Sequence, residues 1–474
     1  MEIEINGKNF TVNPHQSIVE NKKGKPYKDM SDLAITRDEE KCIGCGICRT
    51  ACLENNGLGI PVQTEVEGCL YFRPDGKMDF KDSKCTRCGQ CILACPTGCL
   101  AEKEDIEPVK SAISDESKIV IAQIAPSLRV SLGDSFGKEP DEILEGQMIS
   151  ALKKLGFKYV FDVNLGADFT TYEEAYDLKE RIENNKTPMF TSCCPSRVKF
   201  IEDFHPELME SLTTVRSPQE CLAVVTKTYF AQKLNLDPKN IVVVSIMPCI
   251  AKKFESRRSG EDASGQWDVD FVLTTREFIK MVKAANIDLP NLESEKFDAP
   301  LGEASGAGAI YGASGGVMES AVRTLASLYN QDLDKIEYEE FRGMEGIKKA
   351  TLNIDGKQIK IAVTAGLKNA EKIIEEIENG EVYHYIEVMA CPGGCVGGGG
   401  QPKPATKETI NKRREALYKI DAGKIIRKAH ENPIIKEVYD NLFKCPGGEI
   451  AKKYLHVDYD KTPTRECEIS NDAK

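Results

Sequence analysis

Three cysteine-bearing loops lie far apart in this 474-residue chain, and each follows a short apolar run. The loops are TSCCPSR at 191–197, MPCIAKKFE at 247–255 and EVMACPGGCVGGGGQP at 387–402. Apolar runs of this length predict buried parallel strands, and open α/β sheets bind ligands at the carboxyl ends of their strands. We therefore expect four thiolates, a soft ligand set suited to an iron-sulfur cluster, to meet at one site. The four are Cys194, Cys249, Cys391 and Cys395.

The third loop is rich in glycine, which has no Cβ and lets a backbone approach a bulky inorganic group. Its N–H groups could then donate to sulfur around a cofactor. Thiols packed in an ordinary core are the alternative, but a C-x-x-x-C pair among glycines offers little side chain to pack. The glycines are Gly393, Gly394, Gly397, Gly398, Gly399 and Gly400.

Two C-x-x-C-x-x-C-x-x-x-C runs, CIGCGICRTAC at 42–52 and CTRCGQCILACP at 85–96, form one internal repeat. In bacterial-type ferredoxins the fourth cysteine of each run ligates the cluster of the other run. Zinc ribbons are the alternative, although their C-x-x-C knuckles usually stand across a longer spacer. The predicted ligands of the first 4Fe-4S cluster are Cys42, Cys45, Cys48 and Cys95. Those of the second are Cys85, Cys88, Cys91 and Cys52.

The composition favours a cytoplasmic protein with neither nucleic-acid nor membrane partners. Eighteen cysteines in ligand-like spacings, with no signal peptide or long apolar stretch in the sequence, favour metal ligation over disulfides. A net charge of −12 disfavours nucleic-acid binding. Lys81, Lys84 and Arg87 cluster beside the second run, where they either steer an acidic electron carrier or form an ordinary solvated loop.

The three loops resemble the signature loops of the FeFe hydrogenases, which read roughly TSCCPxW, MPCxxKxxE and ExMxCxxGCxxGGGQP. The resemblance covers most of the chain and implies reversible oxidation of H2 to protons and electrons at an H-cluster. In that cofactor, a 4Fe-4S cube on the four loop cysteines is bridged through Cys395 to a di-iron site carrying carbonyl, cyanide and an amine dithiolate. The implied partners are ferredoxin or flavodoxin as electron carrier and the hydrogenase maturation proteins.

The resemblance also implies a proton route and a lining for the di-iron site. Cys193 would pass protons to the bridging amine, and Lys252 would contact a cyanide. The outer relay groups would be Glu174, Asp177, Arg181 and Thr213. The lining would be Ala125, Pro126, Ser127, Gln219, Met247, Tyr311 and Met389. Without the resemblance, the acids on one helical face would be interpreted as solvated charges and the methionines as core residues.

Five positions depart from the family pattern. Arg197 stands where tryptophan is common, and Gly397 where asparagine is commoner. In the relay and lining, Asp177 replaces glutamate, Thr213 replaces serine and Tyr311 replaces phenylalanine. A shorter carboxylate or a crowded hydroxyl can lengthen a relay step by about the gap that one water fills. We therefore expect these changes to affect rate rather than the identity of the site.

We predict an α+β multidomain fold, with a bacterial-type 2x(4Fe-4S) ferredoxin domain followed by a two-lobed α/β catalytic domain with parallel sheets. The second part of the prediction comes from the alternation of apolar runs and helical stretches beyond residue 116. The predicted segments are an N-terminal extension at 1–36, the ferredoxin-like domain at 37–112, the H-cluster domain at 113–402 and a C-terminal helical wrap at 403–474.

Two alternatives to a catalytic hydrogenase are a non-catalytic iron-sulfur assembly or scaffold relative and a sensory hydrogenase. Cys193, Lys252 and the complete third loop weigh against the scaffold, and no signalling domain is visible in the sequence. The sequence assigns no role to the remaining cysteines, which are Cys69, Cys99, Cys221, Cys445 and Cys467.

Overall fold

The computed structural model describes residues 27–66, 69–331 and 346–459, together with the backbone of two N-terminal strands. These strands, β1 (Glu2–Ile5) and β2 (Lys8–Thr11), pair antiparallel. Cys467 and the end of the predicted C-terminal wrap lie outside the described residues.

The two cysteine runs share one local structure. The elements around them are β3 (Lys28–Asp29), β4 (Ile35–Asp38), α1 (Ile47–Asn56), β5 (Pro61–Val66), β6 (Cys69–Pro74), α2 (Gln90–Ala94) and β7 (Leu100–Glu102). Strands β3, β4 and β7 form an antiparallel sheet, and β5 pairs with β6. Helices α1 and α2 each begin after a glycine in the left-handed region, Gly46 (φ 77°) and Gly89 (φ 76°). Glycine adopts this conformation without strain, so the two halves repeat in backbone geometry as they do in sequence.

The rest of the chain alternates strands and helices. Its strands are β8 (Ile119–Ile124), β9 (Tyr159–Asp162), β10 (Met189–Phe190), β11 (Ile241–Met247), β12 (Phe271–Thr274), β13 (Ile347–Ile354), β14 (Lys357–Ala365) and β15 (Tyr385–Met389). Its helices are α3 (Ile106–Ser114), α4 (Glu145–Leu155), α5 (Val163–Glu183), α6 (Pro195–Phe204), α7 (Pro218–Val225), α8 (Ala231–Lys233), α9 (Ala251–Glu255), α10 (Thr275–Ala284), α11 (Gly306–Ile310), α12 (Gly316–Leu328), α13 (Leu367–Glu378), α14 (Lys407–Gly423), α15 (Pro433–Val438) and α16 (Glu449–Leu455).

The first lobe contains a four-stranded parallel sheet in the order β12-β11-β8-β9. Alternate residues along β8 enter opposite cores: Ile121 packs in one hydrophobic cluster, whereas Val120 and Ala122 pack in the other. A sheet covered on both faces needs apolar side chains at consecutive positions, which explains the continuous apolar runs in the sequence.

The second lobe contains the sheet β10-β15-β14-β13, in which only β13 runs antiparallel to its neighbour. Asp355 (φ 52°) and Gly356 (φ 74°) form the turn between β13 and β14, as expected for a tight hairpin. The parallel sheet of the first lobe, the mainly parallel sheet of the second and the ferredoxin-like part confirm the predicted fold class.

The C-terminal helices pack back onto the earlier part of the chain. Helix α14 contacts α11 and the short helical segment Pro126–Val130, and α16 contacts α7. No helix among the described residues has both the length and the apolar character that crossing a bilayer requires.

Candidate metal centres and proton route

Two small cavities in the ferredoxin-like part are lined by cysteines, and each includes the four that are predicted to hold one cluster. One, of about 20 Å³, is lined by Cys42, Cys45, Cys48 and Cys95. The other, also about 20 Å³, is lined by Cys52, Cys85, Cys88 and Cys91. The fold thus groups the cysteines with the fourth member of each run exchanged, the grouping expected for two cubane clusters. We refer to them as the outer and inner cysteine cavities, because Cys45 in the first is exposed and all four cysteines of the second are buried.

Hydrogen bonds of one side chain connect the inner cavity to the second lobe. Asn56 Nδ2 donates to Cys88 Sγ at 3.0 Å, and Asn56 Oδ1 accepts from Leu367 N at 3.1 Å. Arg87, which the sequence suggested for a surface patch, is instead buried at 1 % exposure and pairs with Asp32 at 2.7 Å. The prediction that Arg87 helps to steer an acidic carrier is therefore wrong, because its guanidinium is buried in an ion pair with Asp32.

A third cavity, of about 60 Å³, lies beyond the carboxyl ends of three parallel strands. Ala125 follows β8, Met247 ends β11 and Met389 ends β15, so residues from both lobes meet there. All seven residues predicted to line a di-iron site border this cavity, namely Ala125, Pro126, Ser127, Gln219, Met247, Tyr311 and Met389. Its wall also includes Cys193, Cys249, Cys395 and Lys252.

The four loop cysteines lie close enough to influence one another's charge. Burial raises the pKa of Cys249 to about 12, and the nearby Cys194 adds to this effect. Burial likewise raises the pKa of Cys391, with contributions from Cys249, Cys194 and Cys395. Buried thiols such as Cys249 and Cys391, whose pKa is raised, are costly to convert to thiolates unless a metal group takes up their charge.

Unpaired polar atoms at the third cavity fit a bound polar group. Ser127 Oγ and Gln219 Oε1 are buried and have no hydrogen-bond partner in the described part of the chain. A buried hydroxyl without a partner costs free energy, so a ligand atom at this position would be favourable. The thiol set and these two atoms together fit a cofactor with both soft metal and polar ligands.

The glycine-rich loop has a role that the sequence did not reveal. A Cβ on Gly398 would lie 2.3 Å from Pro248 O, and one on Gly399 would lie 2.3 Å from Cys88 O. A Cβ on Gly89 would lie 3.1 Å from Gly399 Cα. These glycines therefore permit backbone-to-backbone contact between the third loop, the second loop and the inner cysteine cavity, rather than contact with an inorganic group alone.

Lys252 already has an anionic partner within the protein. Its Nζ donates to Glu255 Oε2 at 2.6 Å and to the Cys193 carbonyl at 3.2 Å. Burial lowers the pKa of Lys252, but the Glu255 carboxylate outweighs burial and leaves the pKa above its usual value. Lys252 therefore has an anionic partner from its own chain, since Glu255 lies one helical turn away.

The inner part of the predicted proton route is buried and acidic. Cys193 borders the third cavity, and Glu174 Oε1 accepts from the adjacent Ser192 N at 3.4 Å. Burial raises the pKa of Glu174 to about 7, against the opposing effects of a hydrogen bond from Tyr385 and the charge of Arg197. Tyr385 Oη donates to Glu174 Oε2 at 2.9 Å.

Direct hydrogen bonds connect the residues of the outer part of the predicted route. Thr213 Oγ1 donates to Asp177 Oδ2 at 2.7 Å, and Arg181 Nε donates to Asp177 Oδ1 at 3.0 Å. Arg181 Nη2 also donates to the Leu212 carbonyl at 3.0 Å. Among the residues described, no direct hydrogen bond joins Cys193 to Glu174 or Glu174 to Thr213, so these two transfers require a bridging water.

A fourth cavity lies at the outer end of the predicted route. It is an open polar cleft of about 830 Å³ whose walls include Asp177, Arg181, Glu210 and His456. None of the cysteines of the three loops lines this cleft.

Three family models match the chain. One for the iron-only hydrogenase large subunit, C-terminal domain, matches residues 118–399, and one for the iron hydrogenase small subunit matches residues 407–462. A 4Fe-4S dicluster domain matches residues 41–99. The first model alone spans more than half of the sequence. The chain belongs to the iron-only (FeFe) hydrogenase family.

Curated relatives in the hydrogenase family cover most of the chain. The NADP-reducing hydrogenase subunit HndD of Solidesulfovibrio fructosivorans is 42% identical over 92% of this chain and 76% of its own length. Iron hydrogenase 1 of Clostridium pasteurianum is 42% identical over 92% of this chain and 77% of its own. The cytosolic iron-sulfur assembly component 3 of Bos taurus is more distant, at 29% identity over 84% and 87%.

A solved structure agrees with the family assignment. A variant of the apo FeFe hydrogenase HydA1 from Chlamydomonas reinhardtii has a TM-score of 0.67 and 34% identity to this chain. The match covers 75% of this chain and 98% of that one. Membership in the FeFe hydrogenase family therefore supports an iron-sulfur oxidoreductase with the fold of that family's catalytic domain.

Some features of residues in and near the third cavity were not predicted from the sequence. Tyr311 Oη shares a 2.7 Å hydrogen bond with Thr171 Oγ1, which gives the extra hydroxyl at this position a buried partner. Arg197 is fully buried, and its three guanidinium nitrogens have no hydrogen-bond partner within the described ranges. Nothing in the periodicity or spacing of the sequence indicated that Arg197, three residues after Cys194, would be buried.

The remaining cysteines are placed outside the third cavity. Cys221 is fully buried and accepts from Thr170 Oγ1 at 3.5 Å, and Cys445 is exposed. Cys69 lies half-buried on β6, whereas Cys99 borders the outer cysteine cavity.

Proposed function

We propose that the chain is an FeFe hydrogenase that interconverts H2 with two protons and two electrons. The observation that supports this best is the third cavity, where Cys193, Lys252 and the unpaired Ser127 hydroxyl meet a soft apolar lining. When bound, an H-cluster would supply the making and breaking of the bond between the two hydrogens. The protein would supply ligands, a dry pocket, protons and electrons.

The cofactor ligands follow from the three loops. Cys194, Cys249, Cys391 and Cys395 would hold the 4Fe-4S cube, and Cys395 would also bind the di-iron group. Ser127 would donate its hydroxyl to a cyanide, and Lys252 would add an ammonium held in place by Glu255. The thioethers of Met247 and Met389 would exclude water from the pocket, because both side chains are only 3 % exposed.

The proton route would run between the cavity and the open cleft. Cys193 would hold the proton nearest the di-iron site, and Glu174 would exchange it, since a pKa of about 7 suits both uptake and release near neutral pH. Thr213 and Asp177 would continue the route toward the cleft. Arg181 would keep Asp177 oriented rather than carry protons itself.

Electrons would travel through the two ferredoxin-type sites. The outer cysteine cavity is nearest to solvent at Cys45, and the inner one touches the third loop through Gly89 and Gly399. Ferredoxin or flavodoxin would therefore exchange electrons at the outer cluster. The name of the Solidesulfovibrio relative suggests a partner subunit that handles a nicotinamide nucleotide as the other candidate carrier.

The test is infrared spectroscopy of protein produced together with the hydrogenase maturation proteins, with hydrogen evolution measured on the same sample. We expect metal-bound carbonyl and cyanide bands and hydrogen evolution from a reduced one-electron dye. Cys193→Ser should keep the bands and lower turnover by at least about 10²-fold, because general acid-base steps contribute 10²–10⁴. Cys221→Ser, a buried thiol outside the cavity, is the matched control and should keep both signals.

An iron-sulfur assembly or scaffold protein is the second candidate, supported by the similarity to the bovine assembly component. It predicts cubane clusters without carbonyl or cyanide bands after complete maturation. A sensory hydrogenase predicts the bands together with negligible turnover. Either result would overturn the catalytic proposal, and the two are distinguished by the bands.

A further inference from the structure

One side chain outside the predicted ligand set contacts a sulfur of the inner cysteine cavity. Asn56 is the last residue of α1 and is only 2 % exposed. Its Nδ2 lies 3.0 Å from Cys88 Sγ, and its Oδ1 lies 3.1 Å from the backbone nitrogen of Leu367, the first residue of α13. The amide therefore lies between a predicted cluster ligand and a helix of the second lobe.

The contact with Leu367 determines which way round the amide lies. A backbone N–H can only donate, so it must face the amide oxygen, and the other side of the amide then presents an N–H to Cys88. The first N–H groups of a helix have no partner within that helix, which explains why Leu367 takes an acceptor from elsewhere in the chain. The Asn56 side chain thus supplies the sulfur with a donor that does not titrate.

The backbone on both sides of Asn56 restricts the amide. Helix α1 ends there, because Gly57 adopts the left-handed conformation (φ 74°) and donates its N–H to Leu53 O at 3.1 Å. A Cβ at Gly366, the residue before α13, would lie 2.5 Å from Asn55 O, so the two segments meet backbone to backbone. Close packing at this junction leaves the Asn56 side chain little room to turn away from Cys88.

We propose that the Asn56 amide donates to the Cys88 sulfur in the cluster-loaded protein and raises the reduction potential of the inner cluster. Reduction transfers one electron from the outer cluster and adds one negative charge to the inner one. A donor at a ligand sulfur stabilises that added charge and so favours the reduced form. Asn56 is a positioning residue, because it acts through a ligand. The inference rests on the inner cluster of the proposed electron route but not on hydrogen chemistry.

The burial of the inner cavity explains what such a donor would do. All four cysteines of this cavity are buried, whereas Cys45 of the outer cavity is exposed. Added negative charge is less stable away from water, so burial alone would make the inner cluster harder to reduce than the outer one. An electron would then remain at the outer cluster. The amide offsets this effect and favours transfer inward.

The test is a redox titration of the full chain, loaded with its cubane clusters but without a di-iron site and followed by electron paramagnetic resonance. Dithionite supplies the electrons. Asn56→Ala removes the donor, and we expect the reduction equilibrium constant of the inner cluster to fall about tenfold, which is about 59 mV for a one-electron couple. The outer cluster should keep its potential. Cys91→Asp changes one predicted ligand of the inner cluster and so identifies that cluster's signal.

Two further variants separate the loss of the donor from changes in charge and packing. Asn56→Asp keeps an acceptor for Leu367 but removes the donor and adds a negative charge, so the inner potential should fall further than in Asn56→Ala. Asn55→Asp is the matched control, because the Asn55 amide donates to Ala51 O at 2.9 Å rather than to a sulfur. It adds the same charge one residue away and should shift the inner potential less than Asn56→Asp does.

Iron and sulfide analysis accompanies each titration. An unchanged inner potential in Asn56→Ala with full iron content would overturn the proposal, and so would equal shifts of both clusters, because the effect would then not be local. Asn56→Leu, which is closer in volume, replaces Asn56→Ala if alanine impairs assembly. Loss of the inner cluster from both variants would also overturn the proposal, because the amide would then serve assembly. A wild-type chain without an inner cluster would refute this inference and the proposed electron route together, and its iron content identifies that case.

Discussion

Replacing Glu174 with glutamine should lower activity and raise stability at the same time. Glu174 is fully buried and accepts a hydrogen bond from Tyr385 at 2.9 Å. Glutamine has the same shape as the protonated acid but cannot release a proton. We expect hydrogen turnover in Glu174→Gln to fall by about 10²–10⁴, or about 3–5 kcal/mol in the activation free energy.

The stability effect follows from the raised pKa of this carboxyl. Its pKa of about 7, against 4.5 for an ordinary glutamate, corresponds to about 3 kcal/mol. The folded chain binds this proton more tightly than the unfolded chain does. The stabilisation is therefore complete below about pH 4.5 and is lost as the pH rises through about 7. Glutamine carries no charge at any pH, so its advantage should grow from under about 1 kcal/mol at pH 5 to about 3 kcal/mol at pH 8.

Urea unfolding of the cubane-loaded chain between pH 5 and pH 8.5, under anaerobic conditions, measures this difference. Glu375→Gln is the matched control, because Glu375 is an exposed acid on helix α13 far from the relay. The control should change neither turnover nor the pH dependence of the unfolding midpoint. A Glu174→Gln protein with wild-type turnover, or one less stable than wild type at pH 8, would refute the assignment of Glu174 as a buried relay acid.

Three further substitutions test other contacts. Thr213→Val removes the hydroxyl that donates to Asp177 and should lower hydrogen evolution at least about tenfold, whereas Thr213→Ser should keep most of it. Arg197→Met replaces a buried cation that has no hydrogen-bond partner with an apolar side chain, and should raise the free energy of unfolding by about 1–4 kcal/mol. Urea titrations measure this change, and a decrease would instead indicate that Arg197 holds a bound anion or water. Asp168→Ala leaves the Ser305 N–H and hydroxyl without their acceptor and should lower the free energy of unfolding by about 3 kcal/mol, which unchanged urea midpoints would contradict.

The cysteine loops were predictable because the position of each cysteine depends only on the strand directly before it in the sequence. A thiol directly after a buried strand must lie at the edge of the sheet, whatever the rest of the chain does. Cys249 after β11 and Cys391 after β15 are the clearest cases. The ion pair between Lys252 and Glu255 is equally local, because residues three apart in a helix lie on the same face. Their spacing alone could have predicted it.

The partners of buried polar groups were not predictable, because they come from distant parts of the sequence. Tyr385 reaches Glu174 across 211 residues, and Asp32 reaches Arg87 across 55. The sequence identifies a charged residue but does not show which residue the fold will bring beside it. A charged residue in a loop is therefore easily assigned to the surface, as Arg87 was.

In the proposed electron route, the contact between Gly89 and Gly399 would set the insulating gap between the inner cluster and the cube. Electron tunnelling slows exponentially with the distance between donor and acceptor, so the thickness of protein between these two centres would limit the current. Side chains here would press on backbone, since a Cβ at Gly399 would meet Cys88 O at 2.3 Å. A single methyl group at either position would force the two loops apart and slow each electron's passage, even with every metal ligand intact.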